Sequence, residues 1–262
     1  NKNKCNFDNI VEDCYTAKCL SHSNFNIDPY VKQYNYFEDY YLVEAIRNDN
    51  VKHLIEYYKD DSNINRQLVY GYQGNTVLHE AVYNKAKLCV NFILEKNIDL
   101  FITNKDGNTA LHVACLVGDV DNVNRLINIG ADYSAKNLKG DQAIHCGVRS
   151  GRFDVVVLLM NRGSSIIEKN NNGETPLHIA VISPKKNMKV VKYLVNIGAD
   201  VLTKNIKEQT VLKSLEHQEK YVDNEEVKTF IQKAVYEKFS EDRDEYYKVL
   251  EAHPEFRPYE FE

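Results

Sequence analysis

Four histidines recur at equal intervals along the chain, and metal binding is the first chemistry that such a set suggests. They are His79, His112, His145 and His178, each 33 residues after the one before. Two cysteines, Cys115 and Cys146, lie close to them in the sequence. Imidazole nitrogens and thiolates are usual ligands of zinc, which needs its ligands at about 2 Å from a single point. Whether these side chains meet depends on the elements that carry them.

The 33-residue step is shared by glycines, which indicates repeated structural units and not a cluster of ligands. The glycines are Gly74, Gly107, Gly140 and Gly173. Units of this size stack side by side, and packed helices lie roughly 8–10 Å apart. Successive histidines are then too far apart to share one ion. We predict structural roles for these four histidines and four glycines, with no metal and no cofactor.

A catalytic cysteine–histidine pair is the second chemistry to consider, because Cys146 directly follows His145. Neighbouring residues on a helix do not face each other, so the pair is poorly placed for proton transfer. The sequence contains no P-loop and no G-x-S-x-G or H-E-x-x-H motif. We therefore predict no catalytic residue and no enzymatic activity. The alternative is an enzyme whose activity lies in residues 1–36 or 216–262, which are short for an independent catalytic domain.

The residues around each histidine repeat as well. The four segments are Thr76-Val77-Leu78-His79, Thr109-Ala110-Leu111-His112, Gln142-Ala143-Ile144-His145 and Thr175-Pro176-Leu177-His178. Apolar helical segments follow, and they end at Gly130-Ala131-Asp132, Gly163-Ser164-Ser165 and Gly198-Ala199-Asp200. This pattern resembles the ankyrin repeat, whose hallmark is Thr-Pro-Leu-His-x-Ala at a period of 33. The resemblance implies an all-α solenoid of stacked helix-turn-helix units joined by β-hairpin fingers.

The repeat pattern divides the chain into five parts. We predict a non-repeat extension at 1–36, a degenerate capping repeat at 37–71, four ankyrin repeats at 72–205, a degenerate repeat at 206–237 and an acidic tail at 238–262. The degenerate C-terminal repeat has Lys213 where the four ankyrin repeats have histidine. Its motif follows Thr175 by 35 residues, so two extra residues are expected near 184–187. The predicted array thus has six units.

The charge distribution bears on the partner and on the compartment. The net charge is −5, but from Glu216 onwards acidic residues outnumber basic ones 14 to 7, which leaves the rest of the chain at +2. An acidic chain is a poor non-specific ligand of nucleic acid, and no run of 18 apolar residues occurs that would span a membrane. The first residues lack the apolar core of a signal peptide. We expect reduced cysteines and an intracellular location, in the cytoplasm or also in the nucleus.

The family resemblance implies that a partner binds along the inner helices and the fingers. The predicted inner-helix contacts are Tyr83, Leu116, Val117, Arg149 and Ile182. The predicted finger contacts are Tyr70, Tyr72, Lys105, Lys136, Leu138, Lys139, Lys169, Lys204, Ile206 and Lys207. Apolar anchors rimmed by charge are typical of interfaces, so we expect a monomeric chain that binds a protein with an acidic and partly apolar face. In the alternative, the lysines only solubilise the fingers and the apolar residues pack on the next unit.

Several roles share this architecture. An adaptor or an inhibitor is the leading hypothesis. Six repeats followed by an acidic tail are similar to IκB-like inhibitors of Rel/NF-κB-type transcription factors, and viral or bacterial effectors also use such arrays. A scaffold fragment of a larger receptor or channel and a ubiquitin-ligase adaptor are further alternatives. The acidic tail offers one more possibility, which is that it folds back over the lysine fingers and masks them.

Overall fold

The computed structural model describes residues 30–59, 63–71, 74–184, 187–216, 225–239 and 243–257. Its helices are α1 (Tyr30–Arg47), α2 (Val51–Tyr57), α3 (Val77–Tyr83), α4 (Lys87–Leu94), α5 (Ala110–Val117), α6 (Val120–Asn128), α7 (Ala143–Ser150), α8 (Phe153–Asn161), α9 (Pro176–Ile182), α10 (Met188–Asn196), α11 (Val211–Glu216), α12 (Glu225–Lys238) and α13 (Arg243–Ala252). A short 3-10 helix, Pro254–Phe256, follows α13.

The first twelve helices form consecutive pairs that stack in one row. The odd-numbered helices from α1 to α11 are the inner helices, and each packs against the next inner helix and against its own outer helix. Apolar side chains of both helices fill the space between pairs, so a single elongated core runs through the stack. This arrangement confirms the predicted all-α solenoid of stacked helix pairs.

The helices of a pair approach closely because small residues lie where they meet. Ala81, Ala114 and Ala180 are buried at equivalent positions of the inner helices, and Gly147 takes this place in α7. A Cβ at Gly147 would lie 3.0 Å from Val155 Cγ1 and 3.1 Å from a methyl group of Leu159. Glycine there lets α8 pack tightly on α7.

The prediction of β-hairpin fingers was wrong about their secondary structure, because the described residues contain no β-strand. We number the fingers one to five, at residues 70–74, 103–107, 136–140, 169–173 and 204–208. Finger two is a tight turn in which Asn104 N–H donates to Asn108 O at 2.9 Å. One backbone hydrogen bond joins finger three to finger two, from Leu138 N–H to Asp106 O at 3.0 Å. Single bonds of this kind join consecutive turns without forming the ladder that defines a strand.

Two constraints meet at Gly107 in finger two. Its φ angle is 73°, in the left-handed region that side chains disfavour, and a Cβ would lie 2.7 Å from Leu138 N in the next finger. In finger five the same turn position is Glu208, with a φ angle of 57°. In the described part of the chain no further finger follows Glu208, so its side chain meets no neighbouring backbone. The sixth helix pair has thus lost a residue that serves a C-terminal neighbour.

The described part of the acidic tail packs on the last helix pair. Phe256 is fully buried, and Glu255 accepts a hydrogen bond from the Thr210 hydroxyl at 2.8 Å. The Gln232 amide donates to the carbonyl oxygens of Glu255 and Arg257 at 3.3 and 2.8 Å. Residues 243–257 therefore cap the exposed end of the stack, and this placement differs from the fold-back over the lysine fingers that the charge distribution suggested.

The N-terminal end is closed by a buried carboxylate. The helix α1 begins at Tyr30 and so crosses the boundary that we predicted at residue 36, while residues 1–29 lie outside the described part. Asp39 of this helix is fully buried and accepts hydrogen bonds from the Arg66 guanidinium at 2.5 Å and from the backbone N–H of Val69. The segment before finger one is thereby fixed on α1. The loop between α9 and α10 is longer than its equivalents, as the two extra residues predicted near 184–187 require, and residues 185 and 186 of it lie outside the described part.

Replacing Gly107 with alanine tests whether the next finger imposes this glycine. We expect Gly107→Ala to lower the free energy of unfolding by about 2 kcal/mol or more, because it adds left-handed strain and a contact with Leu138 N. Glu208→Ala is the matched control, since the same turn there already carries a Cβ, and it should change stability by less than about 0.5 kcal/mol. Urea unfolding followed by circular dichroism measures both. Equal losses in the two variants would show that the neighbouring finger is not the constraint.

Candidate protein-binding surface

Each histidine of the repeat joins its own unit to the next one. The four side chains are at most 1% exposed. Each Nδ1 accepts the backbone N–H of the residue three positions earlier, at 3.2 Å for His79 and His112, 3.1 Å for His145 and 3.3 Å for His178. Since Nδ1 accepts, the proton lies on Nε2, which donates to a carbonyl oxygen of the following unit. These acceptors are Asn108 at 3.0 Å, Asp141 at 3.1 Å, Glu168 at 3.1 Å and Gln209 at 3.3 Å.

Both ring nitrogens of each histidine are thus occupied by backbone groups. Burial lowers the pKa of all four histidines, to about 4 for His79. This bonding pattern requires the neutral ring with its proton on Nε2. In the described ranges, no group of three or more His, Cys, Asp or Glu side chains is arranged to hold a metal ion.

The Cys146 thiol is not activated. It is 1% exposed, and burial raises its pKa to about 12. The thiolate is the reactive form of cysteine, and the ring of His145 is already bonded to Gln142 and Glu168. Cys89, Cys115 and Cys146 are all free and buried. These cysteines fill space in the core.

A row of asparagines supports the fingers and was not among the predicted structural residues. These are Asn104, Asn137, Asn170 and Asn205, which follow the same 33, 33 and 35-residue steps as the fingers. The Asn104 side-chain oxygen Oδ1 accepts the N–H groups of Asp106 and Asn108 at 3.0 and 3.1 Å, and the side-chain Nδ2 donates to Asn75 Oδ1 in the preceding unit at 3.0 Å. Their regular spacing in the sequence could have identified them, and their hydrogen bonds indicate a structural role.

The predicted inner-helix contacts line one face of the inner row. Tyr83 is 63% exposed, whereas Leu116, Val117 and Ile182 are half-buried and pack against the core. Arg149 is half-buried and forms a 2.9 Å ion pair with Asp141, which is itself buried. Tyr83 is therefore the side chain of this set with the most surface for a partner. The three apolar residues each bury one part of the side chain against the core and expose the other part.

The predicted finger lysines differ from one another in their surroundings. All six are exposed: Lys105, Lys136, Lys139, Lys169, Lys204 and Lys207. Lys136 lies 3.5 Å from the Glu168 carboxylate and Lys204 lies 3.8 Å from that of Glu208. The predicted finger contacts did not include these two acids, since Glu168 precedes finger four and Glu208 is the last residue of finger five. The net positive charge of fingers three to five is accordingly smaller than five lysines suggest.

Apolar side chains are exposed at two of the fingers. Leu138 is 69% exposed and Ile206 is 65% exposed. At finger one, Tyr70 is half-buried and meets the Tyr40 ring edge-on, with 5.1 Å between the ring centres. Tyr72 lies outside the described residues. The surface therefore has an aromatic N-terminal end and an aliphatic, lysine-bearing C-terminal end.

Comparison with known families follows the repeat pattern. The family model described as "Ankyrin repeats (3 copies)" matches residues 41–137 and 121–205, which together make up more than half of the 262 residues. No curated protein matches the sequence. The matched segments cover most of the first five helix pairs and leave out the sixth. In the described part, no helix combines the length and the apolar character needed to cross a membrane.

The buried histidines predict a stability that decreases in mild acid. In the folded state their pKa values lie below the value of about 6.5 expected after unfolding, so the unfolded state binds more protons as the pH falls through 6.5. His79 alone should cost up to about 2 kcal/mol between pH 7 and pH 5. Urea midpoints measured at pH 7, 6 and 5 should fall in that order.

His79→Gln separates this effect from other titrations. Glutamine at this position can still accept the N–H of Thr76 as in a capping box, but it loses the bond to Asn108 O and does not titrate. We expect lower stability at pH 7, by about 1–2 kcal/mol, and a smaller loss on going to pH 5. An unchanged pH dependence would contradict a neutral, buried His79.

Proposed function

Because this chain belongs to the ankyrin-repeat family, we propose that it is a non-enzymatic binding module that holds a protein partner on its inner helices and fingers. Ankyrin repeats are in general protein–protein interaction modules. The proposal for this chain names the surface, which consists of the exposed face of α3, α5, α7 and α9 together with fingers one to five. A stack of this kind offers a long continuous surface and not a closed pocket.

The exposure of Tyr83 is the observation that carries the proposal. An aromatic side chain that is 63% exposed lies on the inner row, where Leu116 and Ile182 are half-buried at the equivalent positions of two other units. Tyrosine is among the residues most enriched at the centre of interfaces. A solvated surface without a partner would favour polar residues at these positions. The arrangement supports Tyr83 as an anchor residue.

The fingers define the chemistry of the proposed partner. Exposed lysines of fingers three to five surround Leu138 and Ile206, so a complementary face would carry acids and some apolar side chains. Charges at the rim of an interface act mainly on the association rate and on partner choice. We therefore propose that the acidic character of the partner speeds binding and that apolar contacts retain the partner.

A module that only binds can act in two ways. It brings its partner to a third protein, as an adaptor does, or it covers a surface that the partner needs, as an inhibitor does. An IκB-like inhibitor of a Rel/NF-κB-type factor is one specific form of the second role. The docking of residues 243–257 on α11 and α12 places part of the acidic segment at the end of the stack, where it would extend the surface presented to such a partner.

Affinity capture of the chain from cells, followed by mass spectrometry, tests the proposed function. We expect at least one protein that is recovered in stoichiometric amounts and that binds the purified chain directly. The recovered protein should present an acidic surface, and its association should slow as salt is raised. Failure to recover a partner, combined with turnover of a small molecule by the purified chain, would replace the proposal with an enzymatic function.

The variant Tyr83→Ala tests where on the surface the partner binds. Binding of the captured partner should weaken at least tenfold, as is typical of a buried aromatic anchor. Leu88→Ala is the control, because Leu88 is 52% exposed on the outer helix α4 and so tests the loss of a similarly exposed apolar side chain on the other row. Calorimetry measures both affinities, and circular dichroism checks that both variants fold. A larger effect at Leu88 would place the partner on the outer helices.

A further inference from the structure

Fingers three and five carry the same two types of residue at the same positions. In each, an exposed aliphatic side chain is followed by a lysine: Leu138-Lys139 in finger three and Ile206-Lys207 in finger five. The aliphatic side chains are 69% and 65% exposed, and both lysines are exposed as well. We call these two pairs the finger tips. Finger four has Asn171-Asn172 at this place.

The other lysines of these fingers are engaged within the chain. The Lys136 ammonium lies 3.5 Å from Glu168 and donates to Lys169 O at 3.4 Å. Lys169 in turn donates to Lys204 O at 2.8 Å, and Lys204 pairs with Glu208. These side chains run along the stack from one finger to the next. A partner would have to displace such contacts to use their charge.

The two lysines of the finger tips are different. Across the ranges that the structure describes, neither the Lys139 nor the Lys207 ammonium lies within salt-bridge distance of a carboxylate. Each of them directly follows an aliphatic residue whose side chain is also exposed. A carboxylate next to an apolar group is the complement of such a pair. The charge and the apolar surface available to a ligand are therefore concentrated at two points.

The spacing between these points is held by backbone bonds. Asn171 donates through its N–H to Lys139 O at 3.0 Å and through its amide to Leu138 O at 2.9 Å. Ile206 N–H donates to Asn172 O at 3.0 Å. Finger four thus connects the two finger tips, which lie two stacking steps apart, or roughly 16–20 Å.

We propose that the finger tips together bind one extended acidic segment of the partner, which presents two acid–apolar pairs about six residues apart. This proposal rests on the proposed function and names the chemistry and spacing of its ligand. An extended chain rises about 3.3 Å per residue, so six residues span the distance. Residues i and i+6 also point to the same side of an extended chain, which lets both pairs face the fingers.

Simultaneous contact explains how two small exposed sites give useful affinity. A single exposed lysine–carboxylate pair adds little to binding. When both pairs belong to one segment, the second contact forms at a high effective concentration, and the gain is lost if the spacing is wrong. The fixed distance between the finger tips therefore selects the partner by spacing as well as by charge.

A display library of random 16-residue peptides, selected on the purified full chain, tests this proposal. We expect enriched peptides with two acid–apolar pairs separated by six residues. The double variant Lys139→Glu with Lys207→Glu should bind these peptides at least tenfold more weakly. The control is Lys87→Glu with Lys189→Glu, which changes the net charge equally at exposed positions of the outer helices α4 and α10, and it should change affinity less than twofold. Circular dichroism verifies that both double variants fold.

The outcomes separate the two proposals. Recovery of no peptide, or of peptides that bind the Lys139/Lys207 variant as well as the original chain, would overturn the role of the finger tips. If the enriched peptides instead lose affinity in Tyr83→Ala alone, the binding function stands and the finger-tip proposal falls. Pairs about eleven residues apart would indicate a helical ligand and would overturn the extended geometry.

Discussion

The structure depends on the contact between the backbone of one finger and the backbone of the next. Leu138 N–H bonds to Asp106 O, and the approach is so close that Gly107 has no room for a Cβ. His112 completes the junction, because its Nε2 donates to Asp141 O in the following unit. Its Nδ1 accepts the Thr109 N–H at the same time, which only a neutral ring can do. The register of the stack thus follows from hydrogen bonds between units, while the apolar core that fills the space between pairs supplies most of the stabilisation.

The ends of the array follow from the same contact. A terminal unit has no neighbour to receive a histidine bond or to exclude a Cβ, and the sixth helix pair has Lys213 and Glu208 at those positions. It keeps the residues that face backwards, since Ile206 N–H still bonds to Asn172 O. The open apolar end is covered by Phe256, while Asp39 fixes the chain on α1 at the other end. The sixth unit therefore diverges from the repeat in one direction, because the residues it lacks are those that would contact a C-terminal neighbour.

The fold was predictable from the sequence because a 33-residue period constrains every unit alike. Helix positions, the small residues between paired helices and the longer loop before α10 all follow from that period. The finger geometry was not predictable in the same way, because the difference between a turn and a strand depends on how many backbone bonds join neighbours. The asparagines repeat with the same regularity as the histidines. Because asparagine is common in turns, its spacing alone does not indicate a specific role. The start of α1 at Tyr30 could not be predicted from the sequence, since the first helix lacks the repeat motif.

The candidate surface was only partly predictable, because exposure and pairing depend on side chains from different units. Five lysines in fingers three to five suggested an even band of positive charge. The structure resolves this band into Lys136, Lys169 and Lys204, which bond along the stack, and Lys139 and Lys207, which do not. A charge that already has a partner must lose it before it can bind a ligand, so its contribution to recognition is small. The same reasoning applies to Arg149, whose ion pair with buried Asp141 stabilises its own unit. Under the finger-tip proposal, recognition depends on the few side chains that the internal junctions leave unused, and these can be identified only after the junctions are known.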